Sequence, residues 1–296
     1  MHWIIDALST AFFTRALLGG ALAAIICGVV GTWVVIRGMA FLGEAVGHGM
    51  LPGVALATLA GAPPMLGGAT TAAIMSLLIA ALQRRGRLSY DTSIGLLFVA
   101  MLSLGVIIVS HSGSFATDAT ALLFGDVLAI NRGTIMALCG AAALTLAVAV
   151  ACHRAFVACA FDSRIAQTLG YRPRWAHAAL TGLVTLAVVA SAQAIGTLLV
   201  VALLLGPAVA AQPWSARIPH RMALASLIGI VAVAAGLSIS WLAATAAGAT
   251  IAASAITSAA VSHALHFVTH RAPRSTAEAP ARTAPVSSTH PQESHA

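Results

Sequence analysis

The 296-residue sequence contains no lysine, and its aspartate and glutamate residues number only eight. Charged residues make up 8% of the chain, against roughly 25% in soluble domains, while 59% of its residues are hydrophobic. This composition excludes an ordinary soluble domain and favours a chain that folds in a lipid bilayer. Aromatic residues are also scarce, whereas 26 glycines are present, which suits closely packed membrane helices.

Motifs of hydrolytic enzymes are missing as well. The sequence contains no Walker motif, no G-x-S-x-G and no H-E-x-x-H. We therefore expect no enzymatic activity, and in particular no ATP hydrolysis, from this polypeptide, and no permanently bound cofactor. The "CHRAFVAC" stretch (152–159) matches no common zinc spacing. The 15 arginines separate apolar runs and form no basic face, which argues against a nucleic-acid partner.

Apolar runs of about 20 residues, the length that spans a bilayer, recur along the chain. They predict an all-α, polytopic membrane protein with eight or nine transmembrane helices. The number is open because "SAQAIG" (191–196) alone divides one long run. We expect a permease domain over residues 1–270 and a disordered cytoplasmic tail over 271–296, rich in Pro, Ala, Ser and Thr. The predicted spans are 12–36, 38–61, 64–83, 94–110, 134–152, 176–192, 194–212, 222–243 and 248–268.

Four sets of arginines fall on one side of these spans if 111–133 lies on the other. They cluster at 84–87, between 153 and 175, at 217–221 and after 270. By the positive-inside rule this side is cytoplasmic, with the N-terminus outside and the C-terminus inside.

Glu44 and His48 lie in the second apolar run, in "FLGEAVGHGMLPG" (41–53). At i and i+4 they share one face of a helix. Ionisable groups at membrane depth usually face a cavity, a partner or an ion path. A carboxylate with an imidazole could bind Zn²⁺, Mn²⁺ or Fe²⁺ transiently. The alternative is an internal Glu–His hydrogen bond. Pro52 and Gly53 disturb the helix just beyond the pair and are candidate hinge residues.

Two further segments carry candidate functional residues. In "FDSRIAQTLGY" (161–171), Asp162 or Ser163 is a good helix N-cap and Gly170 a good C-cap. A short amphipathic helix around Ala166 is expected there, either as a surface loop element or as a docking site for a soluble partner. In 191–214, Gln193, Gly196 and Gly206–Pro207 interrupt the apolar run. They predict packing kinks or a gate.

Five segments in the same order resemble the permeases of the bacterial zinc/manganese/iron ABC importer family, and are most similar to its zinc-type members. They are "FLGEAVGHGMLPGVALA", "YDTSIGLLF", "ALLFGDVLAI", "FDSRIAQTLGY" and "QAIGTLLVVALLLGPAVAA". Together they span about residues 12–268. At 242–254 the chain departs from the family, because Thr245 and Ala247 stand where an acidic residue and a proline are common.

The resemblance implies an inner-membrane permease that works as a homodimer in lipid. A cytoplasmic ABC ATPase would drive it and an extracytoplasmic metal-binding protein would supply it. It further implies that Asp162, Ala166 and Gly170 couple the bundle to the ATPase and that Glu44 and His48 line the translocation path. An imidazole with a carboxylate favours Zn²⁺ as the transported ion, with manganese or iron as alternatives. A metal chelate such as a siderophore or cobalamin is another.

The segment 110–130 and the tail contain other polar residues. His111, Asp118 and Asp126 fall on the outer side and are expected to shape the mouth of the pathway or dock the delivery protein. His290 and His295 in the tail could hold a metal transiently, although two histidines in a flexible tail are usually incidental.

Overall fold

The computed structural model describes residues 11–84, 89–110, 125, 127 and 130–269. Twelve α-helices follow one another within these ranges, and no strand occurs among them, which confirms the all-α prediction. A 3₁₀ turn, Gln212–Trp214, follows the tenth helix. The bounds are α1 Ala11–Ile36, α2 Ala40–Gly49, α3 Leu51–Leu59, α4 Pro64–Arg84, α5 Tyr90–Ser110, α6 Arg132–Ala151, α7 His153–Phe161, α8 Ser163–Thr168, α9 Pro173–Ile195, α10 Thr197–Ala211, α11 Ile218–Ala243 and α12 Ala247–Thr269.

Nine segments in the described part of the chain are long and apolar enough to cross a membrane. One of them combines α2 and α3, and α9 and α10 are two separate spans divided at Gly196. The larger of the two predicted numbers is therefore the one observed. α9 and α11 begin a few residues earlier than predicted, at Pro173 and Ile218, because a proline in the first helical turn costs no hydrogen bond.

The centre of the bundle is formed by α1, α9 and α10. In α1, 72% of the most apolar window is buried, against 17% in α5 and in α12. α1 contacts α11, α10, α6 and α9, and α10 contacts α12. Trp33 and Leu180 are among the largest fully buried side chains of this core. The peripheral helices carry their apolar faces outward, as expected where lipid or another protein covers them.

Glycines allow the helix backbones to approach closely at two points. Gly53 of α3 and Gly67 of α4 face each other, and a methyl group on either would overlap the other's carbonyl oxygen. Gly206 of α10 lies so close to α12 that a methyl group on it would be 2.5 Å from the Ala255 carbonyl oxygen. These contacts explain part of the high glycine content, since small residues let membrane helices pack backbone to backbone.

α7 and α8 lie between the spans α6 and α9 and are too short to cross a bilayer. They belong to the end of the bundle that contains Arg37, Arg154, Arg164 and Arg172, which we call the arginine-rich end. It is the end that the positive-inside rule predicts to be cytoplasmic.

Candidate functional site

Glu44 and His48 line one cavity of about 240 Å³. Both side chains project from α2 and are half-buried. The opposite wall is α10, from Thr197 to Gly206, and Ile256 of α12 contributes the remaining side. His48 lies eight residues from the start of α2, which corresponds to about 12 Å along a helix axis. The pair is therefore at membrane depth, and within an otherwise mostly apolar wall it supplies one carboxylate and one imidazole.

The cavity opens toward the outside of the protomer. Leu198 and Ile256 at its rim are 41% and 59% exposed. A carboxylate facing lipid from such a position would be costly. The described residues contain no group of three or more His, Cys, Asp or Glu side chains that could hold a metal. One protomer thus offers two metal-ligating side chains here, which suits transient binding rather than a resident ion.

Phe98 of α5 holds the His48 ring on one side. The two rings meet edge to face, with centroids 5.4 Å apart and planes at 72°. Phe98 in turn meets Phe41 of α2 at 5.6 Å. This packing limits rotation of the imidazole, because aromatic edge-to-face pairs have a preferred geometry.

The helix break beyond the pair occurs at Met50, between α2 and α3. Pro52 stands in the first turn of α3, where its missing N–H costs nothing. The helical hydrogen bonding resumes as the Val54 N–H donates to the Met50 carbonyl at 3.0 Å. Pro52 and Gly53 are both buried. The helical hydrogen bonding is thus interrupted before Pro52 as predicted, although Met50 keeps helical dihedral angles, φ −75° and ψ −25°. The hinge role assigned to Pro52 and Gly53 stays a prediction.

A second break lies at Gly196, between α9 and α10. Its φ of 82° and ψ of 155° fit glycine alone. Gly125, between α5 and α6, also has a positive φ, 63°, and a methyl group on it would overlap the backbone of Ile195 and Gly196. Gln193, predicted with Gly196 as part of a gate, is exposed. Thr197 follows the break directly and lies against Gly47, between Glu44 and His48.

At Gly206–Pro207 the chain stays helical, because α10 continues through both residues to Ala211. The kink or gate assigned to Pro207 stays a prediction. Proline removes one helical hydrogen bond, yet membrane helices tolerate it where neighbouring helices brace the chain. Here Gly206 packs against α12 and the Pro207 ring lies beside Gly229 of α11. Neighbouring helices therefore hold this stretch helical despite the missing donor.

The short helix predicted around Ala166 is α8, at the arginine-rich end. Asp162 is its N-cap, and the Asp162 carboxylate accepts a hydrogen bond from the Arg164 N–H at 2.6 Å. Gly170 has a φ of 81° just after the helix, as a C-terminal glycine should. Ala166 is fully buried, whereas Ile165 and Leu169 are 55% and 63% exposed. Ala166 therefore faces the bundle, whereas the larger apolar side chains of Ile165 and of Leu169, just after α8, are exposed.

Some predicted residues lie outside the described ranges. These are His111, Asp118 and Asp126 of the outer connection, and His290 and His295 of the tail. All four cysteines are free, and His153 between Cys152 and Cys159 packs against Trp33.

Three residues at these sites escaped the reasoning from sequence. Phe98 ends the "YDTSIGLLF" segment, and Thr197 follows Gly196 within a motif, but neither residue type signals a site on its own. Arg37 at the end of α1 donates a hydrogen bond to α7. A lone arginine at the end of a helix can indicate such a contact, but the sequence does not tell which residue accepts the hydrogen bond.

The chain is similar to known proteins over most of its length. The model of the ABC 3 transport family matches residues 9–266. The manganese transport system membrane protein MntC of Halalkalibacterium halodurans is 34% identical over 233 residues, 79% of this chain and 80% of that protein. The chelated iron transport system membrane protein YfeD of Yersinia pestis is 28% identical over 232 residues, 78% of this chain and 77% of that protein.

A solved structure also resembles the chain. It is PsaBC from Streptococcus pneumoniae in complex with Fab, with a TM-score of 0.78 and 29% identity. The similarity covers 88% of this chain and 94% of that one.

Proposed function

The chain belongs to the ABC 3 transport family and is a permease of a metal-importing ABC transporter, and we propose that its ion crosses the inner membrane beside Glu44 and His48. The observation that carries this proposal is the cavity at membrane depth, into which α2 places one carboxylate and one imidazole. Two ligating side chains are few enough for the metal ion to be released again, since conduction needs sites that bind the ion only weakly. Because the chain has no ATPase motif, we assign ATP hydrolysis to a separate cytoplasmic subunit.

Manganese is the first candidate ion. The relative with 34% identity is named as a manganese transport protein, and a carboxylate oxygen with one imidazole suits Mn²⁺. The prediction of zinc from the sequence rests on the chemistry of Glu44 and His48 alone. No relative cited above is named for zinc. Iron is supported by the more distant relative. Iron therefore becomes the second candidate and zinc the third.

The outward opening of the cavity supports a homodimer. A protomer alone in lipid would leave Glu44 beside the exposed Leu198 and Ile256 at the cavity rim. A second copy on this face would enclose the cavity and double its ligating side chains to two carboxylates and two imidazoles. Lipid would then cover only the remaining apolar faces.

The docking site for the ATPase is proposed at α8. Asp162 and Gly170 fix its ends, buried Ala166 anchors it, and Ile165 and Leu169 face outward. An apolar ridge at the cytoplasmic end has no bilayer to enter, so a soluble partner is the natural cover. The extracytoplasmic binding protein would dock at the opposite end, near the outer connection 111–131.

Uptake of radioactive Mn²⁺ and Zn²⁺ tests the proposed function. The transporter is produced with its ATPase and binding protein in cells that lack their own high-affinity uptake. A Glu44→Gln, His48→Ala double variant should lose uptake of the transported ion at unchanged membrane levels. Leu227→Ala on the outer face of α11 serves as the control. Normal uptake by the double variant would refute the path, and a preference for Zn²⁺ over Mn²⁺ would restore zinc as the first candidate.

A further inference from the structure

We infer that Phe98 is a positioning residue for transport, which holds the His48 imidazole at the cavity while Gly105 keeps α5 close enough for this contact. The inference rests on the proposed function. Phe98 is not among the described residues that line the cavity. Its ring packs edge to face against the His48 ring, with 5.4 Å between the centroids. Phe98 therefore acts on the path through the imidazole and not by touching the ion.

The inward face of α5 is one narrow stripe. Ile94, Phe98, Met101 and Gly105 follow one another at spacings of four, three and four residues, which places them on one side of a helix. Ile94 and Gly105 are buried, and Phe98 and Met101 are half-buried. Most of α5 is otherwise exposed, since only 17% of its most apolar window is buried. This stripe is thus the face with which α5 contacts α2 and α3.

Gly105 brings α5 against the break between α2 and α3. A methyl group on Gly105 would be 2.8 Å from the Leu51 Cβ atom and 3.2 Å from the Pro52 nitrogen. Both of these atoms belong to the first turn of α3, just after the break. Phe98 lies seven residues before Gly105, about 10 Å along α5, and contacts α2 just before the break. One face of α5 thus holds both halves of the broken span.

A ligand side chain has to be oriented before the ion arrives, because a misplaced donor loses much of its contribution. A histidine side chain rotates about two bonds and can adopt several rotamers. The edge-to-face contact with Phe98 favours one of them, because aromatic pairs have a preferred geometry. An aliphatic side chain at 98 would keep an apolar surface there but lose this preference. His48 would then spend part of its time with its nitrogens turned away from the cavity.

Phe98→Leu and Gly105→Ala test the two contacts in the complete transporter. The first removes the ring, and the second forces α5 away from α3. Phe98→Tyr keeps the ring and serves as the rescue. Phe12→Leu is the matched control for the ring, because Phe12 pairs with Trp241 at 5.9 Å and does not line the cavity. Gly95→Ala is the control for the methyl group, which would meet no atom within 4 Å there.

Two quantities are measured for each variant. They are the uptake of radioactive Mn²⁺, normalised to membrane levels, and the rate at which diethyl pyrocarbonate modifies His48 in the purified transporter, followed by mass spectrometry. Phe98→Leu and Gly105→Ala should lower uptake roughly 2- to 10-fold, the range for loss of one aromatic pair. Both should also speed the modification of His48. Modification of His177, whose Nε2 atom is buried, should not change. Phe98→Tyr and both controls should stay near wild type.

A wild-type rate of His48 modification in Phe98→Leu would overturn the inference, whatever happens to uptake. Faster modification of His177 as well would indicate a general loosening of the bundle and would also overturn it. If Gly105→Ala behaves like Gly95→Ala, the close approach of α5 to α3 has no part in positioning the imidazole.

The Glu44→Gln, His48→Ala variant reports on the proposed function in the same uptake assay. If this double variant loses uptake while Phe98→Leu transports normally, only the positioning role fails. If the double variant transports normally, the proposed function fails, and the positioning role fails with it.

Discussion

The Arg37 guanidinium donates a hydrogen bond from Nη1 to the carbonyl oxygen of Cys159, at 2.6 Å. Arg37 follows the end of α1 and Cys159 lies in the last turn of α7, so the contact caps a helix C-terminus with a cation. One turn earlier, the Trp33 ring packs edge to face against His153 and Phe156, at 5.7 and 5.3 Å. The central helix of the bundle thus holds the helix that leads directly into α8.

Replacing Arg37 should uncouple the ATPase from transport. In Arg37→Gln, the charge-assisted hydrogen bond is lost, which costs about 1.5–3 kcal/mol locally. α7 and α8 would then move with the ATPase without moving α1. We expect ATP hydrolysis to persist while the metal imported per ATP falls several-fold, and Arg37→Lys to show a smaller effect. Equal loss of both activities in Arg37→Gln would indicate a general folding defect and count against this coupling role.

Cys159 reports directly on the same contact. It is 4% exposed, and burial raises the pKa of its thiol, an effect that nearby Arg37 opposes to a smaller extent. Because the thiolate is the reactive form, wild-type Cys159 should react slowly with maleimide near pH 7.5 and faster as the pH rises toward that raised pKa. Removing Arg37 raises the pKa of the thiol further, which by itself would slow labelling. We nevertheless expect Arg37→Gln to be labelled faster, because α7 is released and its thiol becomes exposed. Faster labelling of Arg37→Gln in a variant with Cys159 as the single cysteine can therefore arise only from exposure of α7. Unchanged or slower labelling would show that α7 stays in place.

The exposed apolar residues of α8 are expected to bind the ATPase. A double change of Ile165 and Leu169 to Glu places two charges on the surface that the partner would cover. Copurification of the ATPase should be lost, because desolvating an unpaired charge in an apolar interface is costly. His220→Glu, exposed at the start of α11, is the control and should retain the ATPase. Retention of the ATPase by the double variant would place the docking surface elsewhere.

The spans were predictable to within a few residues because length and hydropathy alone define a membrane helix. The run 12–36 became α1, and Asp162 and Gly170 bounded α8 as their capping chemistry requires. Residues that meet through tertiary packing were not predictable, since nothing local in the sequence tells that Phe98 reaches His48 or that Thr197 reaches Gly47. Pro207 is a further example of an outcome set by tertiary packing. The helices packed against α10, and not the conformational preference of proline, determine that α10 continues through this residue.

Gly196 and Gly125 should not tolerate alanine. Gly196 adopts a backbone conformation that only glycine visits readily, and a methyl group on Gly125 would overlap the Gly196 nitrogen. Holding a residue with a side chain in such a sparsely populated conformation costs about 1–3 kcal/mol. Gly196→Ala and Gly125→Ala should therefore lower the melting temperature of the purified transporter and its uptake. Gly182→Ala is the control, because a methyl group there meets no atom within 4 Å and α9 is regular. A melting temperature of Gly196→Ala equal to that of Gly182→Ala would contradict this prediction.

Cysteines at the cavity rim should cross-link two copies of the chain in the membrane. Around a two-fold axis each residue near the axis faces the same residue of its partner. If the second copy closes the cavity, the cysteine of Leu198→Cys or of Ile256→Cys will lie near the same cysteine of the other protomer. Both are tested on a background in which the four native cysteines are replaced, with mild oxidation of intact membranes and detection of a disulfide-linked dimer. Met136→Cys on the outer face of α6, which is not part of the cavity rim, is the control. Cross-linking at Leu198 or Ile256 but not at Met136 supports the enclosed path, because a second copy on this face removes the Glu44 carboxylate from lipid. Dimers formed through Met136 alone would place the interface on the α6 face and leave the cavity open.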